Sequence, residues 1–177
     1  QDAANVVALA TSRTSAENLT LVQMLSSNPF MVNGLYSAGL RGDNAQLVSL
    51  FSDMKYLPFD QVQVLDKEGK QLYRTILNGD AAPSTSAVEH PVLEACMADG
   101  EAYAESGLFD GRMAVIAAAP VSMYGDPIGY LIGVTYFDIS LAQRLKSLSR
   151  MEIAFFDGVE IFASTSPELV KLDPAAI

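Results

Sequence analysis

The strongest constraint on how this chain of 177 residues folds is the stretch from Met113 to Asp138, MAVIAAAPVSMYGDPIGYLIGVTYFD. Two apolar runs, Met113 to Val121 and Ile128 to Phe137, flank Ser122-Met123-Tyr124-Gly125-Asp126-Pro127. Glycine, aspartate and proline supply the backbone angles that reverse a chain, so the stretch predicts a β-hairpin. Each run is apolar at odd and even positions alike, as expected of strands covered on both faces. The alanines of Met113 to Ala119 also suit a helix, but the β-branched Val115 and Ile116 and the nearby Pro120 weigh against one.

Around this hairpin the chain reads as an α+β fold. Gln1 to Ser27 carries apolar residues at helical spacing with no proline or glycine, and predicts one long amphipathic helix. The helix should break at Asn28-Pro29, since a residue preceding proline is pushed out of the α region. A second helix runs from Pro29 toward Ala38 and is read as stopping at Gly39. Asp43 is read as the N-cap of a third, Asn44 to Met54. The Arg41-Gly42-Asp43 triplet is too short to carry an adhesion function. Val62 and Val64 alternate with Gln61 and Gln63 in the manner of a half-buried strand, Asp66 to Gly69 turns, and Gln71 to Ile76 returns. Asn78 to Ser86, NGDAAPSTS, is the most loop-like segment. Pro91 suits the first turn of a short helix, Val92 to Ala98, closed by Asp99-Gly100. Glu101 to Leu108 is a further strand, followed by a Phe109-Asp110-Gly111 turn. Beyond Asp138, Ser140 to Ser149 predicts an amphipathic helix, and Met151 to Ala163 another hairpin around Asp157-Gly158.

Three segments follow: a helical part at 1–57, the sheet with its loop at 58–138, and an exit helix with the start of a further module at 139–177. Because the sequence opens at Gln1 without a start methionine or signal peptide, it reads as a piece of a longer protein.

Composition removes several classes of function. The 11 Lys and Arg are outnumbered by 21 Asp and Glu, giving a net charge of −10. Nucleic acids and anionic membranes are recognised through clustered cations, so neither is an expected partner. The chain is 50% hydrophobic and its mean hydropathy is +0.21, yet no run approaches the roughly 18 apolar residues of a membrane-spanning helix. The single cysteine, Cys96, reads as a small buried apolar group and pairs with nothing in the chain. One His and one Cys with no third ligand nearby do not make a metal site. No G-x-S-x-G surrounds a serine and no phosphate-binding glycine loop is present, so neither catalysis nor a cofactor is expected.

A long N-terminal helix, a strand pair of the type VQVLDKEGKQLYRT, a variable loop with a short helix, and a closing hairpin of the type AAPVSMYGDPIGYLIGVTYFD together resemble the Cache family of sensor domains. The matching pieces are Ala119-Pro120-Val121, the Gly125-Asp126 turn, Ile128-Gly129 and Gly133-Val134, and the resemblance spans Ala3 to Ala163. It implies a PAS-like antiparallel sheet with the long helix on one face and a loop with a short helix over the other. It also implies a periplasmic sensing domain of a bacterial chemoreceptor or sensor histidine kinase. Such a domain binds a small molecule over the sheet and meets the membrane only through helices outside this chain; the apolar stripe of the long N-terminal helix, too wide for one sheet, separately predicts a homodimer through that helix.

Candidate ligand contacts follow from the same pattern. Arg74 shares a strand face with Leu72 and Ile76, which directs a guanidinium toward apolar surroundings, where charge is costly unless paired. A bound carboxylate and an internal Asp or Glu are the two partners the sequence leaves open. Arg112 faces with Ala114 and Ile116. His90, the lone histidine, precedes Pro91 and either caps the short helix, faces water or meets a ligand. Ser86 lies in the loop, and Tyr73 and Tyr103 are donors on neighbouring strands. The cations that citrate and dicarboxylate sensors of the family place before the apolar-Pro-Val step are replaced by Val115-Ile116-Ala117-Ala118. The Trp of the amino-acid-binding pattern is absent too, which leaves a small or mostly apolar ligand, such as a monocarboxylate on Arg74. Two other readings are a ligand-free dimerisation and signal-transmission module, and a cytosolic PAS-like interaction module.

Overall fold

The structure is a computed structural model that describes residues 2–78, 90–156 and 161–168. Among the described residues the order is α1 (Asp2–Ser26), α2 (Pro29–Arg41), α3 (Ala45–Ser52), β1 (Gln61–Asp66), β2 (Gln71–Ile76), α4 (Pro91–Asp99), β3 (Tyr103–Phe109), β4 (Arg112–Met123), β5 (Asp126–Tyr136), α5 (Ile139–Ser149), β6 (Ala154–Phe156) and β7 (Ile161–Ser164). The chain divides into two compact units, Arg13–Thr135 on one side and Gln1–Ser12 with Tyr136–Ile177 on the other.

The larger unit is built on an antiparallel sheet of order β2-β1-β5-β4-β3. Its centre is the hairpin expected from Met113 to Asp138. The two-residue turn Tyr124-Gly125 has φ of 56° and 94°, and positive φ at both positions matches the twist of the strands it joins. The Asp110-Gly111 turn repeats the geometry with φ of 49° and 74°. From Ala114 to Ala119 every residue of β4 is buried, as is Gly129 to Tyr136 of β5, so both faces of the central strands are covered.

One face carries the helices. Val22 and Leu25 of α1, Met31, Leu35 and Ala38 of α2, and Leu47 and Phe51 of α3 pack with Val62, Val64, Ala117, Ala119, Val121 and Leu131 in a single core. Asn18 of α1 is fully buried and donates to the Thr135 hydroxyl at 2.9 Å, which donates in turn to the Pro58 carbonyl at 3.0 Å. This chain of bonds fixes α1 against β5 where apolar contact alone would let it slide.

Four local expectations are corrected. The second helix does not stop at Gly39; it runs to Arg41 and ends on Gly42 in the left-handed region, φ 68°. A glycine inside a helix costs stability without ending it, whereas a left-handed C-cap does end it. Gln61 and Gln63 do not face solvent as half-buried alternation predicts, since both are fully buried. Leu72 does not share a face with Arg74. The β1–β2 ladder shifts register between Val64 and Leu65, which leaves Leu72 unmatched and turns it to the helix core; a bulge breaks the period of two. The third helix spans Ala45–Ser52 rather than Asn44 to Met54, and its N-cap is Asn44, not Asp43; the Asp43 carboxylate accepts from the Ala45 amide at 3.0 Å one residue before the cap.

In the smaller unit α5 opens on Asp138, whose carboxylate accepts from the Leu141 amide at 2.9 Å. Leu141, Ala142 and Leu145 pack with Ile153 and Phe155, with Phe137 and Ala163 beside them. Strands β6 and β7 pair antiparallel; the Asp157-Gly158 turn expected between them lies outside the described residues.

Candidate functional site

The sheet face opposite α1, α2 and α3 holds a cluster of buried polar side chains. Antiparallel pairing places Gln63 opposite Arg74 and Gln61 opposite Ile76, and on the other side of β1 sets Gln63 against Ile132 and Gln61 against Val134. Side chains directly opposite in a ladder share a face, so Gln61, Gln63 and Arg74 form one polar cluster beside Ile132 and Val134.

Arg74 is 9% exposed at its side chain and lies 3.7 Å from the Asp110 carboxylate; its Nη2 also donates to Gln61 Oε1. Of the two partners left open for this guanidinium, the structure supplies the internal acid. Asp110 belongs to the β3–β4 turn and Arg74 to β2, at opposite edges of the sheet. With neighbouring strands about 4.8 Å apart, the pair can meet only because the sheet bends over this face.

Within the cluster Gln63 stands out. It is fully buried, and neither its Nε2 nor its Oε1 has a hydrogen-bond partner; Gln61 Nε2 also has none. An unmade bond at such a site costs about 1–3 kcal/mol per group, and native structures keep few of them.

Helix α4 covers another part of the same face. Its Val92, Leu93 and Cys96 are buried, and an added Cβ at Gly69, in the β1–β2 turn, would sit 3.8 Å from Met97 and 3.9 Å from Leu93. Burial pushes the Cys96 thiol up to about 12, so it acts as a small apolar group. Burial also raises the Tyr130 phenol.

His90 caps this helix. Its Nδ1 accepts from the Val92 amide at 3.2 Å, and its ring lies 6.1 Å from that of Phe109 and 3.7 Å from the Cβ position of Gly107. Burial lowers its pKa from the ordinary 6.5, while a hydrogen bond to the Leu108 backbone and the charges of Glu105 and Glu94 pull the other way. A protonated Nδ1 cannot accept from Val92, so the folded state holds the neutral ring. The unfolded chain therefore binds this proton more readily, and stability from this group is complete above pH 6.5 and falls as the pH drops below it. His90→Asn keeps an N-cap acceptor but does not titrate. Thermal melts from pH 7.5 to 5 should show a shallower decline for His90→Asn than for the parent; parallel curves would remove His90 from the acid response.

The other residues singled out by sequence scatter. Arg112 opposes Phe109 at the start of β4 and is exposed, at the rim beside Asp110. Tyr73 points to the opposite face, stacked on Phe51 with ring centroids 5.9 Å apart. Tyr103 sits at the far end of β3, opposite Ala118, and its hydroxyl donates to Asp99. Ser86 lies outside the described residues. Sequence reasoning missed Gln61, Gln63 and Asp110, whose roles depend on strand burial and sheet curvature. A cleft of about 720 Å³ between Ile139 and Pro167 in the smaller unit is lined by α5 and the segment from Ser164, but its polar side chains are exposed or half-exposed.

Among the described residues no group of three His, Cys, Asp or Glu side chains is placed to hold a metal ion, and no helix is long and apolar enough to cross a membrane.

No family model matches this sequence, nor does any curated protein. Solved structures do match. The sensor domain of the Vibrio cholerae histidine kinase DctB aligns with a TM-score of 0.61 at 17% identity, over 97% of this chain and 70% of that one. The V. cholerae LuxQ periplasmic domain aligns at 0.62 and 16% identity, over 97% and 81%. The ligand-binding domain of the Pseudomonas aeruginosa amino acid chemoreceptor PctC, in complex with GABA, aligns at 0.51 and 17% identity, over 96% and 77%. The DctB neighbour is a histidine kinase sensor domain, the LuxQ one a periplasmic domain and the PctC one a chemoreceptor ligand-binding domain, and the present chain, with its five-stranded antiparallel sheet and long N-terminal helix, shares their fold.

Proposed function

We propose that this chain is the extracytoplasmic sensing domain of a bacterial transmembrane signalling receptor, a chemoreceptor or a sensor kinase. Its ligand is a small carboxylate bound on the face that carries Gln61, Gln63 and Arg74, with Arg112 at the rim. The observation that carries this reading is the buried cluster itself. An arginine and two glutamines are held under cover on a sheet face where apolar side chains would be more stable, and a fully buried amide has no partner. Polar groups retained at such cost are a mark of sites shaped for something other than stability.

The mechanism follows from differential contact. A carboxylate reaching Arg74 and the two amides competes with the Arg74–Asp110 contact, so it favours whichever arrangement of the β3–β4 turn lets it in. A ligand shifts a conformational equilibrium only by such a difference in affinity. Attachment to the membrane is assigned to helices outside this chain. A homodimer through α1 belongs to the same proposal, and Met24 on that helix is 67% exposed; sedimentation equilibrium showing only monomer at high concentration would rule the dimer out.

A thermal-shift screen against small carboxylates, amino acids, amines and sugars tests the ligand assignment. At about one hundred times its dissociation constant a ligand adds about 2.7 kcal/mol to the folded state. For a domain of this size that is a rise of roughly 5–11 °C. The rise should come from carboxylates and vanish in Arg74→Gln. A response to sugars or amines alone, or one unchanged in Arg74→Gln, defeats the carboxylate assignment.

A further inference from the structure

We infer that α4 is an acid-released cover over the polar sheet face, with His90 as the latch that a proton opens. The inference goes beyond the ligand reading and does not depend on it, for it concerns only how this helix is held to the sheet.

The helix stands on the same face as Gln61, Gln63 and Arg74. Tyr130 opposes Leu65 and Ile132 opposes Gln63 across the β1–β5 ladder, and residues two apart on a strand share a face. Tyr130 lies within electrostatic reach of Cys96 on α4, and Leu93 and Met97 close over the Cβ position of Gly69. The body of the helix is held by apolar burial of Val92, Leu93 and Cys96. Its first turn is held differently, through the imidazole. Nδ1 accepts from the Val92 amide at 3.2 Å, a second hydrogen bond ties the ring to the Leu108 backbone, and the ring packs on Phe109. One side chain thus joins the N-terminus of α4 to β3, beside the Asp110 that meets Arg74.

A proton on Nδ1 undoes this joint. It takes away the acceptor offered to the Val92 amide, sets N–H against N–H, and puts positive charge at the helix end whose free amides are already positive. Among the described residues the charges that act on the ring are Glu105 of β3 and Glu94 of α4; both are exposed, so water weakens their hold on the cation. The stretch of β4 that packs in this core, Ala114 to Ala119, is entirely apolar. Glu89, next to His90 in the chain, lies outside the described residues. Once α4 is released the ring is hydrated and takes a proton with its ordinary pKa of 6.5, so release is least above that pH and grows as the pH falls below it.

The chain carries its own reporter. Cys96 is the single cysteine, sits on α4 and is fully buried, so its thiol is labelled only when the helix lifts. The experiment follows labelling by 4,4′-dithiodipyridine, which reacts with thiols in acid as well as at neutral pH, from pH 7.5 to 5, with each rate divided by that of the chain unfolded in urea at the same pH. In the parent this ratio should rise by about three- to thirtyfold, thirty being the limit for one group of pKa 6.5 that stays unprotonated while the helix is docked. In His90→Asn, which keeps an N-cap acceptor and does not titrate, the ratio should stay level. Small additions of urea should change it little, because lifting one helix exposes far less surface than unfolding the chain. A level ratio in the parent, an equal rise in His90→Asn, or a rise that follows urea as steeply as global unfolding overturns the inference.

Discussion

Gly129→Ala is expected to cost about 3–5 kcal/mol, at the top of the range for overpacking, and to lower the melting temperature by roughly 6–20 °C. The reason is a backbone contact. A Cβ on Gly129 would stand 2.2 Å from the Leu65 carbonyl oxygen and 2.8 Å from a Leu35 methyl, so β1 and β5 must part or bend at the centre of the sheet. Shrinking Leu35 relieves only the second clash, and Gly129→Ala with Leu35→Ala should stay destabilised. Gly133→Ala provides the contrast: its obstacle is the Phe59 ring, 2.6 Å away, and a smaller residue at position 59 should recover part of the loss. Gly39→Ala is the control in the opposite direction. Only Leu72 lies near its Cβ position, at 4.0 Å, and alanine inside α2 should add about 0.5–1 kcal/mol. Denaturant melts of the five variants check the set; a Gly129→Ala protein as stable as the parent would refute the close approach of β1 and β5.

Arg74→Met is expected to cost about 2–3 kcal/mol even without ligand. Losing the guanidinium removes the donor to Gln61 Oε1 within a fully buried site and breaks the contact to Asp110. The cost stays below that of a fully buried ion pair because the Asp110 side chain is 36% exposed and rehydrates. If the two charges act on each other across the sheet, Arg74→Met and Asp110→Asn are not additive, and a double-mutant cycle should show a coupling of about 0.5–1 kcal/mol that shrinks in high salt. Strict additivity would mean that the approach of the two side chains contributes nothing to stability.

How much of this was legible in the sequence depended on whether the signal was local. The central hairpin was readable because burial on both faces leaves an unbroken apolar run, and its turn residues have few other uses. The cap at His90 was readable as one of its alternatives, since an N-cap is decided within one turn of helix, whereas Asp43 was read one residue early, the cap of the third helix being Asn44, and Asp138 was not picked out. Gln61 and Gln63 were misread because polar–apolar alternation is the ordinary signature of a solvent-facing strand, and nothing local distinguishes a glutamine that faces water from one enclosed on a sheet face. Leu72 was placed on the wrong face because a bulge leaves no mark on a pattern of period two. Arg74 was recognised as a buried cation, but not its partner, for Asp110 reaches it only through the curvature of a five-stranded sheet.

The contact between Arg74 and Asp110 joins the outer strand β2 to the β3–β4 turn through side chains alone, across strands whose own ladders are made by backbone atoms. Substitutions at positions 63, 74 and 110 can therefore alter the chemistry of this face without breaking a rung of the sheet. Charge and hydrogen-bonding groups on this face can vary at these three positions, one substitution at a time, while the ladder beneath them is inherited intact.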